Sequence, residues 1–91
     1  MDFEEIEDMI KNTAGVKPAS YWGNALAGEV GEACNLIKKF ERDGKKITDD
    51  LSLELADVFL YCVLTARVFG IDFQKAILRK IGILKEMYPN Y

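Results

Sequence analysis

The chain has 91 residues, 49% of them hydrophobic, with 12 basic and 15 acidic side chains and a formal net charge of −3. That length suits one domain (residues 1–91) with a single core, and the charge balance, with no basic run, argues against a nucleic-acid polymer as partner. So large an apolar share on so small a chain also predicts that part of it is covered by other copies of the same chain.

Cys34 and Cys62 are far apart and belong to no C-x-x-C pair, so both read as small core residues of a reducing compartment. The acidic start Asp2-Phe3-Glu4-Glu5 lacks the basic residues and apolar run of a secretion signal. The uncharged run from Val58 to Ala66 falls short of the roughly 20 residues that cross a bilayer. A soluble, cytoplasmic protein with no membrane partner is expected.

Taken in order, Phe3, Ile6, Met9 and Ile10 recur at helical spacing opposite Glu4, Glu5, Asp8 and Lys11, which predicts a short amphipathic helix over about 2–13. Gly15 and Pro18 then punctuate the chain. A second helix is expected over about 20–41, with Ser20 as its N-cap. Its apolar stripe contains Trp22, Ala25, Leu26, Val30, Ala33, Leu36, Ile37 and Phe40, but Glu29 falls inside that stripe and Glu32 at its edge.

After a polar turn around Gly44, Asp49 or Asp50 can cap a third helix over about 50–69. That helix is apolar on nearly every face yet carries Glu54 and Asp57. Gly70 ends it and Asp72 caps a fourth helix over about 72–88, the tight turn predicting antiparallel neighbours. On the fourth helix Phe73, Ala76, Ile77, Ile81, Ile83, Leu84, Met87 and Tyr88 make a broad apolar face with Lys80 near its middle. The expected fold is all-α, of the four-helix-bundle type.

Glu29 and Glu32 share one face of a helix at i, i+3, and Glu54 and Asp57 share a face of the next. If the two helices pack antiparallel, the pairs confront each other across the interface. Four carboxylates in a low-dielectric seam must take up protons or be neutralised by cations. An oxygen-only donor set fits Mg²⁺ or Mn²⁺, and the absence of histidine removes the Glu-x-x-His di-iron site, zinc hydrolases and His-dependent triads. Clustered Mg²⁺ commonly serves phosphate chemistry, for which Lys80 and Lys39 are candidate phosphate contacts.

The ordered set Asn24-Ala-Leu-Ala-Gly-Glu29-Val-Gly-Glu32-Ala, then Lys38-Lys39 and Arg42-Asp43-Gly44, then Glu54-Leu-Ala-Asp57-Val with Tyr61 following, resembles the MazG-like all-α nucleoside triphosphate pyrophosphohydrolases. The likeness extends over about residues 20 to 89. It implies Mg²⁺-dependent hydrolysis of a (deoxy)nucleoside triphosphate, often a non-standard one, to the monophosphate and pyrophosphate. It further implies Glu29, Glu32, Glu54 and Asp57 as metal ligands and catalytic residues, and a homodimer or homotetramer whose helices complete each four-helix core. On the fourth helix only Lys80 keeps a basic position of that family, with Ile83, Leu84 and Met87 where polar residues are common.

Several of these residues have plainer roles open to them. Lys80 can snorkel, its stem packed and its ammonium in water, instead of holding phosphate. Lys38 and Lys39 can complement a helix dipole, and Trp22 can be core rather than a nucleobase platform. Tyr21 and Asn24 are candidate substrate contacts of the same kind, and Tyr61, another candidate contact, can approach the metal site from one turn beyond Asp57 or simply pack. The alternative function is a non-catalytic helical oligomerisation or regulatory module that binds metal or nucleotide without turnover.

Overall fold

The computed structural model describes residues 2–11 and 15–90, which form four helices: α1 (Phe3–Ile10), α2 (Ala19–Asp43), α3 (Thr48–Val68) and α4 (Phe73–Met87). There is no strand among the described residues, and the fold is all-α. The expected end of the first helix at residues 12 and 13 lies outside the described residues.

The long hairpin of α2 and α3 carries the core. Pro18 starts α2, since its fixed φ of −66° suits the entry and its carbonyl accepts the Tyr21 N–H at 3.0 Å. Ser20, the expected cap, is already the second residue of the helix, and Pro18 offers no side-chain hydrogen bond. At the other end Gly44 takes φ 67°, a left-handed conformation open to glycine at little cost, and its N–H closes on the Phe40 carbonyl at 2.8 Å.

Only residues 44–47 link the two helices, a shorter connection than the sequence suggests. Ile47 turns inward and is buried, so α3 begins directly after it. Asp49 and Asp50 therefore stand inside the first turn of α3 rather than capping it. There they still face the positive end of the helix dipole, and Asp49 uses its carbonyl to accept the Ser52 hydroxyl at 2.7 Å.

The buried apolar residues of the hairpin helices are Trp22 and Ala33 of α2 and Val63, Leu64 and Ala66 of α3, with Trp22 2% and Val63 0% exposed. α1 lies against α3 through Phe3, whose ring is 5.5 Å from Phe59 and 5.9 Å from Phe73, both edge-on. That aromatic contact ties the first helix, the third and the start of the fourth together.

Gly70, at φ 69°, reverses the chain after α3, and the Asp72 carboxylate caps α4 by accepting the Lys75 N–H at 3.1 Å. The expectation that α3 and α4 pack as antiparallel neighbours does not hold along their length. α4 touches α3 chiefly through Phe73 against Phe59, at 6.4 Å, and leaves Leu78, Ile81, Ile83 and Met87 exposed. A tight turn dictates that two helices start close together; it does not supply a surface for the second to cover. The radius of gyration is 15.6 Å, against about 12 Å for a compact domain of this length.

Candidate active site

The α2–α3 seam places carboxylates where the two helices face each other. One oxygen each from Glu29, Glu54 and Asp57 lies within 4.8 Å of the others, Glu29 and Glu54 half-buried and Asp57 exposed. Glu32 stands one turn along α2, exposed, and shares a cavity with Glu54. The i, i+3 spacing on both helices is what turns the four acids into one opposed set.

The electrostatics follow from crowding. Burial is the main cause that pushes the Glu54 carboxyl up to about 7, reinforced by Glu32 and Glu29 beside it. Glu29 is also raised, by burial first and then by the charges of Glu32 and Asp57. Glu29 Oε2 and Glu54 Oε2 are both buried with no hydrogen-bond partner. Buried carboxylate oxygens without donors are costly, and a hard cation supplies what they lack. An oxygen-only set with two orphaned oxygens therefore fits a divalent ion.

Two cavities open onto the acids from different sides. One, of about 360 Å³, is lined by Glu32, Glu54 and Asp50 with Asn35, Lys39, Leu36 and Leu53. The other, of about 490 Å³, is bordered by Asp57 and by Lys17, Tyr21 and Tyr61 over an apolar floor. The Tyr61 hydroxyl is raised by burial and then by Tyr21, with smaller contributions from Glu29 and Asp57.

Of the residues singled out by sequence, Glu29, Glu54 and Asp57 come together, Glu32 and Lys39 line the cavity of Glu54, and Tyr61 lines that of Asp57. Lys38 and Asn24 are exposed on α2 and line neither cavity. Trp22, a candidate nucleobase platform, is in the core instead, with Tyr21 edge-on at 5.2 Å and Tyr61 at 6.5 Å. Lys80 is exposed on α4 and lines neither cavity, because the apolar face that surrounds it on the helical wheel is not covered by α2 or α3.

Lys17 and Asn35 are residues that the sequence reading missed. Asn35 follows Glu32 by three positions, a spacing that would have shown it. Lys17 sits in the break before α2 and has no periodicity to betray it.

An all-α hairpin whose facing helices offer an oxygen-only cluster able to bind a metal defines the class of this protein. Residues 19–89 match the description of the MazG nucleotide pyrophosphohydrolase domain. The chain belongs to that family. Comparison with curated proteins and with solved structures gave no match. No helix among the described residues is long and apolar enough to cross a membrane.

Proposed function

We propose that the chain hydrolyses a (deoxy)nucleoside triphosphate, non-standard ones included, to the nucleoside monophosphate and pyrophosphate, with Mg²⁺ or Mn²⁺ held by Glu29, Glu32, Glu54 and Asp57. The observation that carries this proposal is the pair of buried, partnerless carboxylate oxygens on Glu29 and Glu54, beside Asp57, in a chain of a nucleotide pyrophosphohydrolase family. A divalent ion bound there supplies charge to offset the phosphates and makes a water acidic enough to attack near neutral pH.

The chain's own groups then divide the work. Glu29 and Glu54, fixed by the helix seam, keep their oxygens in place without reorganisation. Glu32, exposed at the rim, can accept a proton from water that approaches through its cavity. Lys39, in the same cavity, offers an ammonium to phosphate oxygens. In the reaction the water oxygen bonds to the α-phosphorus, the bond from that phosphorus to the bridging oxygen breaks, and pyrophosphate leaves.

The test is a panel of triphosphates incubated with Mg²⁺ and with Mn²⁺, the products identified by chromatography. Monophosphate and pyrophosphate in equal amounts are expected from at least one substrate. Glu54→Gln and Asp57→Asn should each lower kcat about a hundredfold or more. No product from any triphosphate with either metal overturns the proposal.

One observation favours the second function, a module that binds metal or nucleotide without turnover: Lys80 is remote from both cavities, which leaves α4 without a basic group at the acids. Thermal stabilisation by nucleotide plus Mg²⁺ with no monophosphate formed is its signature. In either case the proposal is of a cytoplasmic, single-domain protein, and the exposed apolar residues of α4, with Phe40 and Leu55 on the hairpin, support its working as a homodimer or homotetramer.

A further inference from the structure

The two ends of α1 touch different parts of the molecule. Near its start Phe3 meets Phe59 of α3 at 5.5 Å and Phe73 of α4 at 5.9 Å, while Phe59 and Phe73 meet each other at 6.4 Å. Each ring of this triangle comes from a different helix, and each is half-buried. Near its end Ile10 forms part of the wall of the cavity beside Asp57 and Tyr61. The helix rises roughly 10 Å between Phe3 and Ile10. One short rod therefore runs from the root of α4 to the wall of the acid site.

Little else fastens that rod. α1 has no fully buried residue, and no ion pair joins it to another helix among the described residues. Glu4 and Glu7 share with Asp72 a cavity of about 390 Å³ at the α3–α4 turn, which no basic side chain lines, and like charges around one cavity oppose closer packing. α4 depends on the same rings. Phe73 is its first residue and its main contact with α3, and beyond it Leu78, Ile81 and Met87 are exposed. Removing any one ring leaves the other two with an open edge, so the seats of α1 and α4 are not independent.

We propose that Phe3, Phe59 and Phe73 form a shared pivot, by which α1 acts as a strap that closes the cavity beside Asp57 while the root of α4 is seated. Displacing either outer helix loosens the other and opens the cavity at Ile10. The coupling runs both ways: whatever fills the cavity against Ile10 steadies α4, and whatever grips α4 narrows the cavity. The device needs no nucleotide and stands independently of the reaction proposed for the acids.

Amide hydrogen exchange is followed by NMR in the full chain without ligand, and nitration of Tyr61 by tetranitromethane is followed by peptide mass spectrometry. The decisive readings are crosswise. Phe73→Ala should speed exchange of the Ile6 and Lys11 amides, which close on the Asp2 and Glu7 carbonyls, by about threefold or more. Phe3→Ala should do the same for the Ala76 amide, which closes on the Asp72 carbonyl. Both variants should raise the Tyr61 nitration rate by about threefold or more, while the Val63 and Leu64 amides stay as protected as in the wild type and so show an intact hairpin. Met9→Ala, at an exposed position of α1, should change none of these. Phe3→Leu and Phe73→Leu, which keep apolar bulk without a ring edge, should give smaller changes of the same kind and replace an alanine variant that does not fold. Effects confined to the mutated helix, α1 for Phe3 and α4 for Phe73, would overturn the shared pivot, and a nitration rate unchanged in both variants would overturn the strap.

Discussion

Glu54 is the most perturbed acid at the scale of single residues. Its carboxyl, held up near 7 chiefly by burial and then by Glu32 and Glu29, keeps a proton in the folded metal-free protein that the unfolded chain releases near 4.5. Between those values the native state binds more protons than the unfolded state, so stability falls as pH rises from about 4.5 through 7 and levels off beyond. Thermal melts of the chelator-treated protein should show Tm falling across that window. Glu29, raised for the same reason, adds in the same direction. Mg²⁺ should recover the loss at pH 8, and Glu54→Gln should flatten the profile and leave the apo protein more stable there. A profile unaffected by that substitution would mean that the carboxylate is already satisfied by another group.

The acids were legible in the sequence because each interrupts an apolar stripe, and a charge in such a stripe must be answered by something. Tyr61 and Lys39, one or two helical turns from an acid on nearly the same face, line the cavities beside the acids for a related reason. Lys80 follows the same periodic logic and leads elsewhere. The helical wheel tells which residues share a face with Lys80, and nothing about whether another helix covers that face. Trp22 shows the complement: an aromatic at core spacing is core, and the ring surface at the site comes from its neighbours Tyr21 and Tyr61.

Among the elements, the helix ends separate what capping rules can and cannot fix. Asp72 was expected as a cap and is one, with its carboxylate on the Lys75 N–H. Asp49 and Asp50 were equally plausible by composition. Ile47, however, buries itself at the turn and starts the helix earlier than either acid would, because burying a large apolar side chain outweighs a capping bond exposed to water. Asp72→Ala should therefore destabilise the protein by about 1 kcal/mol in urea unfolding, and Asp49→Ala by no more than a few tenths, the loss of a favourable dipole contact. Equal costs for the two would show that Asp49 caps α3 and that the helix starts two residues later than described.

For the whole molecule, the hairpin holds the acids and the rest of the chain is open. Leu78 is 62% exposed and Met87 62%, on a helix that lies against α3 chiefly near Phe73. Apolar area on that scale is expected to be covered by a second copy, which would also supply the missing half of a four-helix core. Light scattering should give a dimer or tetramer, and Ile81→Glu together with Leu78→Glu should convert it to monomer with loss of thermal stability. A wild-type chain that is monomeric at micromolar concentration would show that the open arrangement is the working one. All-α character and the order of the helices were readable from periodicity and punctuation. The spread of α4 was not, since no local pattern encodes the distance between one helix and the next.

Trp22 is the chain's single tryptophan, and its indole N–H is buried without a hydrogen-bond partner, 6.5 Å ring to ring from Tyr61. Such a fluorophore is an optical label already installed at the joint between core and site. Its emission should be blue in the native state and shift red on unfolding, with no competing indole to dilute the signal. Excitation passed from Tyr61 to Trp22 should respond when a ligand displaces that phenol, so occupancy and folding can be read from one cuvette without attaching a dye.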